Sequence, residues 1–284
     1  MQKEITHKQL IRENMKRIFE QCPGNRISEK DAICPEVIGV DLFEAPLVGF
    51  GSAYDSLFEQ YKDEKVIGPW FMTPMKWMPD AKTVISLFFP FTEVVKKSNR
   101  NCVDGPSPAW LHGRVEGQNY LATYIRRLQE WFSVQGVKSC VPILDTRYQK
   151  VVAGNNMTEY FCVSETTFGC NWSERHAAYV CGLGTFGLSK GLITEKGMAG
   201  RFVSIIIDTE IEADARQYSG IYDYCSQCGA CVRRCPAGAI SAQGKNHNIC
   251  NEWLKKMGEL HAPRYGCGLC QTRVPCESRI PGRK

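Results

Sequence analysis

Eight cysteines in one stretch carry the clearest chemistry of this sequence. Cys225, Cys228, Cys231 and Cys235, followed by Pro236, are spaced C-x2-C-x2-C-x3-C-P, and thiolates at those spacings wrap a cubane [4Fe–4S] cluster. Cys250, Cys267, Cys270 and Cys276 follow. In such runs the fourth Cys ligates a second cluster. On that rule Cys225, Cys228 and Cys231 hold one cluster, completed by Cys276. Cys235 joins Cys250, Cys267 and Cys270 around the other. A zinc site would use four ligands and leave the third Cys of the tight run unexplained. Disulfides need an oxidising compartment, and an odd total of 15 cysteines does not suit a disulfide framework. The remaining seven, Cys22, Cys34, Cys102, Cys140, Cys162, Cys170 and Cys181, are scattered as buried small hydrophobes would be.

A second motif lies upstream. Gly182-Leu-Gly184-Thr-Phe-Gly187 matches G-x-G-x-x-G, and Asp208 follows about twenty residues on, where a dinucleotide site places its ribose acid. That fingerprint needs a strand before the glycines and a helix after them. Here a helix expected from Ser173 to Val180 precedes them, and a segment broken by Gly191, Gly197 and Gly200 follows. The glycines therefore read as a tight turn, or as a loop that lets a bulky cofactor approach the main chain.

The elements that must position these groups follow from periodicity. Thr6 caps a helix carrying Leu10, Ile11, Met15, Ile18 and Phe19, ended by Cys22-Pro-Gly. Ala45 to Gly51 reads as a strand, and Asp55 to Tyr61 as a short helix. Pro69 to Pro79 is a loop dense in Trp, Phe and Met, with Phe71–Met78 a candidate lid. Thr83 to Phe89 is a buried central strand, and Val94 to Pro108 an exposed polar loop. In Gln118 to Gln135, Leu121, Tyr124, Ile125, Leu128, Trp131 and Phe132 share one helical face, and Gly136 terminates it. Strands follow at Ser139–Leu144 and Arg201–Asp208. The pattern is α/β or α+β over residues 1–220, with a cluster module at 221–284.

With 284 residues and 43% hydrophobic content, the chain can bury one substantial core plus a small module. A net charge of +5 is too weak to argue nucleic-acid binding. The longest apolar run, around Val84–Phe91, is strand-length, so no membrane span is expected. The N-terminus has no apolar signal segment and no twin-arginine pair, which reads as cytoplasmic.

Glu174-Arg175, the Gly182–Gly187 turn, Gly191-Leu-Ile-Thr194, Gly200, Asp208, the cysteine run and Tyr265-Gly-Cys-Gly-Leu-Cys-Gln271 together resemble the epoxyqueuosine reductase and reductive dehalogenase superfamily. The resemblance covers about residues 173–276. It implies a nitroreductase-like α/β domain that binds base-off cobalamin, followed by a ferredoxin-like domain with two [4Fe–4S] clusters. It also implies a reductase fed by a ferredoxin or flavodoxin, acting on a small electrophilic substrate. Gly182, Leu183, Gly184, Gly187 and Thr194 are then the expected cofactor-binding positions. Three departures stand out. The chain ends eight residues after Cys276, without the helical region that grips tRNA in epoxyqueuosine reductases. Leu188-Ser189-Lys190 follows Gly187 in place of Gly-Lys-Asn or Gly-Lys-His. The position of the family's catalytic Asp holds Phe168, which leaves Asp145, Glu165 and Asn171 as proton-donor candidates, with Tyr148, Tyr160 and Tyr179 beside them. A base-off cofactor needs no lower His ligand, so His176 reads as a packing residue. Arg233, Arg234, Arg264 and Arg273 beside the cysteines would offset cluster charge or dock an acidic electron donor. Competing readings are a corrinoid carrier or reductive activator, and an electron-transfer ferredoxin with a fused scaffold able to hold a flavin.

Overall fold

The computed structural model describes residues 8–152 and 168–282. The expected cap Thr6 and the candidates Tyr160, Cys162 and Glu165 lie outside the described residues.

The chain opens with α1 (Lys8–Gln21), which buries Ile11, Met15 and Ile18. Strand β1 (Leu47–Ser52) leads through α2 (Leu57–Gln60) and α3 (Pro74–Trp77) to β2 (Thr83–Pro90). Every residue of β2 is buried, as its unbroken apolar run requires of a strand covered on both faces. Helices α4 (Glu93–Arg100), α5 (Pro108–Arg114) and α6 (Glu116–Val134) follow. After β3 (Ser139–Cys140), β4 (Lys150–Val152) and β5 (Phe168–Cys170) come α7 (Glu174–Val180), the hairpin β6 (Gly184–Phe186) and β7 (Leu192–Thr194), and β8 (Gly200–Ile207). The remaining elements are α8 (Ala230–Arg233), the short hairpin β9 (Ile240–Ser241) and β10 (Gly244–Lys245), and α9 (His247–His261).

The main sheet has the order β1-β2-β8-β3, and every pairing in it is antiparallel. Alternation along its strands sends side chains to two cores. Ile85, Leu87, Phe89, Val203 and Ile205 face α1 and α6, where they meet Tyr120, Tyr124, Leu128 and Phe132. Val84 and Ile206 face α7 and a second core of Phe58, Tyr61, Phe71, Trp77 and Trp172. The segment expected to form a lid is part of that core. Phe71 and Trp77 are buried, and Phe71 stacks on Trp172 with ring centroids 5.8 Å apart.

Two other expectations change. The strand from Ser139 ends at Cys140, because Pro142 lacks a ladder donor and opens a turn of 3-10 helix. The polar stretch 94–108 is no loop: it contains α4 and the start of α5. Thr92 caps α4 by accepting from Val95 N, and Ser107 caps α5 by accepting from Trp110 N. Helix α4 buries Lys96 and Asn99 beside Val95, so it has no apolar stripe to betray it. Asn99 Nδ2 donates to Cys267 O (3.2 Å) and Thr272 Oγ1 (3.1 Å), and Arg234 donates to the carbonyls of Cys102 (2.8 Å) and Asn99 (3.3 Å). This helix clasps the cysteine segment.

Candidate active site and thiol centres

The Cys225–Cys276 segment is built of turns. Short α8 carries Cys231, and Gly229 opens it with a left-handed backbone. Cys225, Cys228, Cys231 and Cys276 line one small recess of about 20 Å³, together with Gly187, Ile193, Met198 and Val274. Burial and then the neighbouring Cys225, Cys231 and Cys228 push the Cys276 thiol up to about 12. Cys267 is likewise raised to about 12, by burial and then by Cys270, Cys250 and Cys235. The thiols thus gather as Cys225, Cys228, Cys231 and Cys276 in one set, and Cys235, Cys250, Cys267 and Cys270 in another. The sets adjoin: after burial, Cys270 is the largest influence raising Cys231, to about 11. Ala239 N–H donates to Cys235 Sγ at 3.3 Å, the kind of contact that tunes a metal-bound thiolate. All described cysteines are free of disulfides, and among the described residues no three His, Cys, Asp or Glu converge on a single-ion position. The first set rings a space instead, which suits a cluster offering one iron to each thiolate. Of the other described cysteines, Cys22 and Cys181 are buried, while Cys34, Cys102, Cys140 and Cys170 are only partly so.

The ends of several elements carry the remaining candidate groups. Arg114 closes α5, Glu174 and Arg175 open α7, and Arg201 lies near the start of β8. Arg175 presents accessible surface, yet burial lowers its pKa, with Cys270, Cys170 and Cys250 acting in the opposite sense. Burial lowers Arg201 to about 9, and Arg114 and Arg175 repel it further. Both Glu174 carboxyl oxygens are buried without a hydrogen-bond partner. Burial raises Glu174 to about 7, although Ser204 and Trp172 lie near enough to favour its charged form. Tyr148, raised by burial and by Cys170 and Glu174, completes the group.

The expected site residues are dispersed. Gly184 and Thr194 serve the β6–β7 hairpin: a Cβ at Gly184 would lie 1.9 Å from Ile193 O, and buried Thr194 Oγ1 donates to Gly197 O at 2.7 Å. The close approach that requires glycine is made by the neighbouring strand. Gly187 lines the first thiol recess. Gly182 and Leu183 line a separate groove of about 270 Å³ with Asp214 and Tyr224. The hairpin also lacks the helix that a dinucleotide fingerprint needs after its glycines.

Asp145 is paired with a neighbouring arginine. Arg147 grips it through Nε and Nη2 and holds its carboxyl at about 2, so it is ionised at neutral pH. Asn171 is structural: its amide accepts from Gln149 N and donates to Arg147 O. His176 packs between the rings of Tyr61 and Phe186, each 4.8 Å away, and burial lowers it to about 3. The α7 cap position is Ser173, but its hydroxyl bonds His176 Nδ1 at 2.7 Å rather than the helix. Arg234 and Arg264 are committed to structure, Arg264 by an ion pair with Glu116, while Arg233 and Arg273 are exposed. Sequence reasoning missed Arg114, Arg201 and the isolation of Glu174, because nothing in their spacing joins α5, α7 and β8.

The 4Fe-4S binding domain family matches residues 219–241. The chain is 27% identical over 153 residues to an epoxyqueuosine reductase of Leadbetterella byssophila, an alignment covering 50% of this chain and 47% of that relative. The matched part thus spans about half the relative's length. The crystal structure of an epoxyqueuosine reductase with an epoxyqueuosine-modified tRNA-Tyr stem loop covers 96% of this chain and 68% of its own at TM-score 0.52 and 15% identity. A catabolic reductive dehalogenase gives TM-score 0.51 at 14% identity, over 96% of this chain and 37% of its own. These structural likenesses concern the fold. The chain is thus similar in sequence to an epoxyqueuosine reductase over half its length, and similar in fold to epoxyqueuosine reductases and a reductive dehalogenase.

Proposed function

We propose that this chain is an iron–sulfur reductase that delivers single electrons into the recess walled by Arg114, Glu174, Arg175 and Arg201, where a base-off cobalamin binds. The observation that carries this reading is the grouping of eight thiols into two adjoining sets. One set contains the exposed Cys228, and the other contains Cys270 next to Arg175. Electrons enter at the first set and leave from the second. Thiolate-only clusters reach potentials of roughly −400 mV or below. In this scheme residues 1–220 form the nitroreductase-like scaffold and residues 221–284 the ferredoxin-like module. A ferredoxin or flavodoxin docks at the Cys228 face, where Arg233 is exposed and donates to Cys228 O.

The residues present fit the cofactor. A corrin is rimmed with amides, and the Glu174 carboxyl offers two buried acceptor oxygens with no other partner. Bound there, cobalamin would supply a nucleophilic, strongly reducing metal centre. The chain's own groups bind, orient and supply protons. Glu174 holds the rim, and Tyr148 keeps its proton on Oη because burial and the nearby Cys170 and Glu174 oppose its ionisation. The Phe58, Phe71 and Trp172 stack behind α7 keeps water from the back of the recess.

Anaerobic reconstitution followed by iron and sulfide counts and absorption spectra, with and without cobalamin, tests the reading. About eight iron atoms per chain and a base-off cobalamin spectrum are expected. Four irons, or no spectral change on adding cobalamin, would sink it.

A further inference from the structure

We propose that Met198 is a positioning residue for electron entry: its thioether packs on Cys276 and holds the first cluster drier, and lower in potential, than the second. The inference rests on the reading of the two thiol sets as two [4Fe–4S] sites. Met198 meets Cys276 twice. Cys276 Sγ lies 3.2 Å from Met198 Sδ, and Met198 N–H donates to Cys276 O at 2.9 Å. The Met198 side chain is buried and packs with Ile193, Tyr224 and Ile280, against which Cys225 and Cys276 lie. Gly191 makes room for it: a Cβ there would lie 2.1 Å from Met198 Cε. Ile193, Met198 and Val274, all buried, also line the small recess shared by the four thiols of the first set. That recess is apolar beside Cys276, whereas Cys228 is exposed.

Once its ligands are fixed, a cluster's potential is set by hydrogen bonds to its sulfurs and by the access of water. An N–H or O–H aimed at a thiolate stabilises the added electron and raises the potential. A thioether has no proton to give, and a side chain seated on the sulfur keeps the protons of water away as well. Met198 thus withholds from Cys276 what Ala239 supplies to Cys235, whose Sγ accepts from Ala239 N–H at 3.3 Å. The two contacts act in opposite senses, one on a ligand of each set. They put the first set below the second in potential. An electron entering at the exposed Cys228 then runs downhill toward Cys235.

Anaerobic reconstitution, iron counts and a reductive titration followed by electron paramagnetic resonance test this. The unaltered protein should hold about eight irons and show two midpoints, and Cys276→Ala, which keeps only the second set, should retain the higher one. Met198→Gln brings an amide N–H to Cys276, and Met198→Ala opens the space to water. Each should raise the reduced-to-oxidised ratio of the lower cluster at a fixed potential about tenfold, which is about 59 mV for one electron, with iron content and the other midpoint unchanged. Met198→Leu, apolar and of similar size, should leave both midpoints in place. Ala and Leu bury no new polar group, so the test stands even where the Gln variant fails to fold. Both midpoints unmoved in the Ala and Gln variants, an equal shift in the Leu variant, or the lower midpoint surviving in Cys276→Ala would overturn the proposal while leaving two clusters in place. About four irons in the unaltered protein would sink the two-cluster reading, and the ordering with it.

Discussion

Glu174 carries more consequence than its place in a Glu-Arg pair announces. Its carboxyl is buried, unpartnered and raised to about 7, against about 4.3 in an unfolded chain. The native state therefore binds the proton more tightly. Its contribution is full below the unfolded value and is lost as pH climbs toward 7. Stability should fall between about pH 4.5 and pH 7 by on the order of 2–3 kcal/mol from this group alone. Urea unfolding near pH 5 and near pH 8 should show that loss, and Glu174→Gln should flatten it; an unchanged pH profile in the variant would assign the dependence elsewhere. Cys276→Ala should cost about four iron atoms per chain, because it removes one ligand of the set that also holds Cys225, Cys228 and Cys231. Unchanged iron would mean the sets are drawn wrongly. At this scale the sequence was legible where ligand spacing is local, as in Cys225 to Cys235. It was silent where a site is assembled from α5, α7 and β8, since no spacing rule joins Arg114 to Arg201. It gave no sign that Arg147 grips Asp145 and lowers its carboxyl.

Among the elements, β2 and α6 could be read because a buried strand and an amphipathic helix write themselves as a run and a stripe. Leu128 on α6 is fully buried, and Leu128→Ala should cost about 2–5 kcal/mol in chemical denaturation. Helix α4 could not be read that way, since two of its three inward residues, Lys96 and Asn99, are polar and only Val95 is apolar. Only its ends carried a signal: the Thr92 cap, Glu93 in the first turn, and Lys97 and Arg100 in the last. Its role as a clasp gives a specific expectation. Asn99→Ala leaves Cys267 O and Thr272 Oγ1 without their shared donor, a loss of about 1–3 kcal/mol. That loss should appear as faster iron release to a chelator from the second set. A release rate equal to that of the unaltered protein would leave α4 as mere packing. Gly268→Ala should do more harm, because the backbone there is left-handed and the new Cβ would lie 1.9 Å from the Trp110 ring.

Over the whole molecule, the cysteine segment is stitched to what precedes it rather than appended. Met198 N–H donates to Cys276 O (2.9 Å), Ala199 N–H to Glu277 O (3.1 Å), and Phe186 N–H to Ile221 O (2.8 Å). Arg100 reaches Glu277, which is itself buried. Residues 221–284 expressed alone should therefore fail to retain a full complement of iron. A segment that held about eight irons by itself would show these bonds to be dispensable.

The backbone bond from Met198 to Cys276 also orders events in time. Three thiols of the first set precede the fourth by more than forty residues, and the fourth is bonded through its carbonyl to Met198 N–H. On the proposed ligand pairing, a nascent chain that has emerged only through Cys235 carries three thiols of the first set without the fourth. Stalled or truncated chains should consequently be the species most open to oxidation and to capture of stray metal ions.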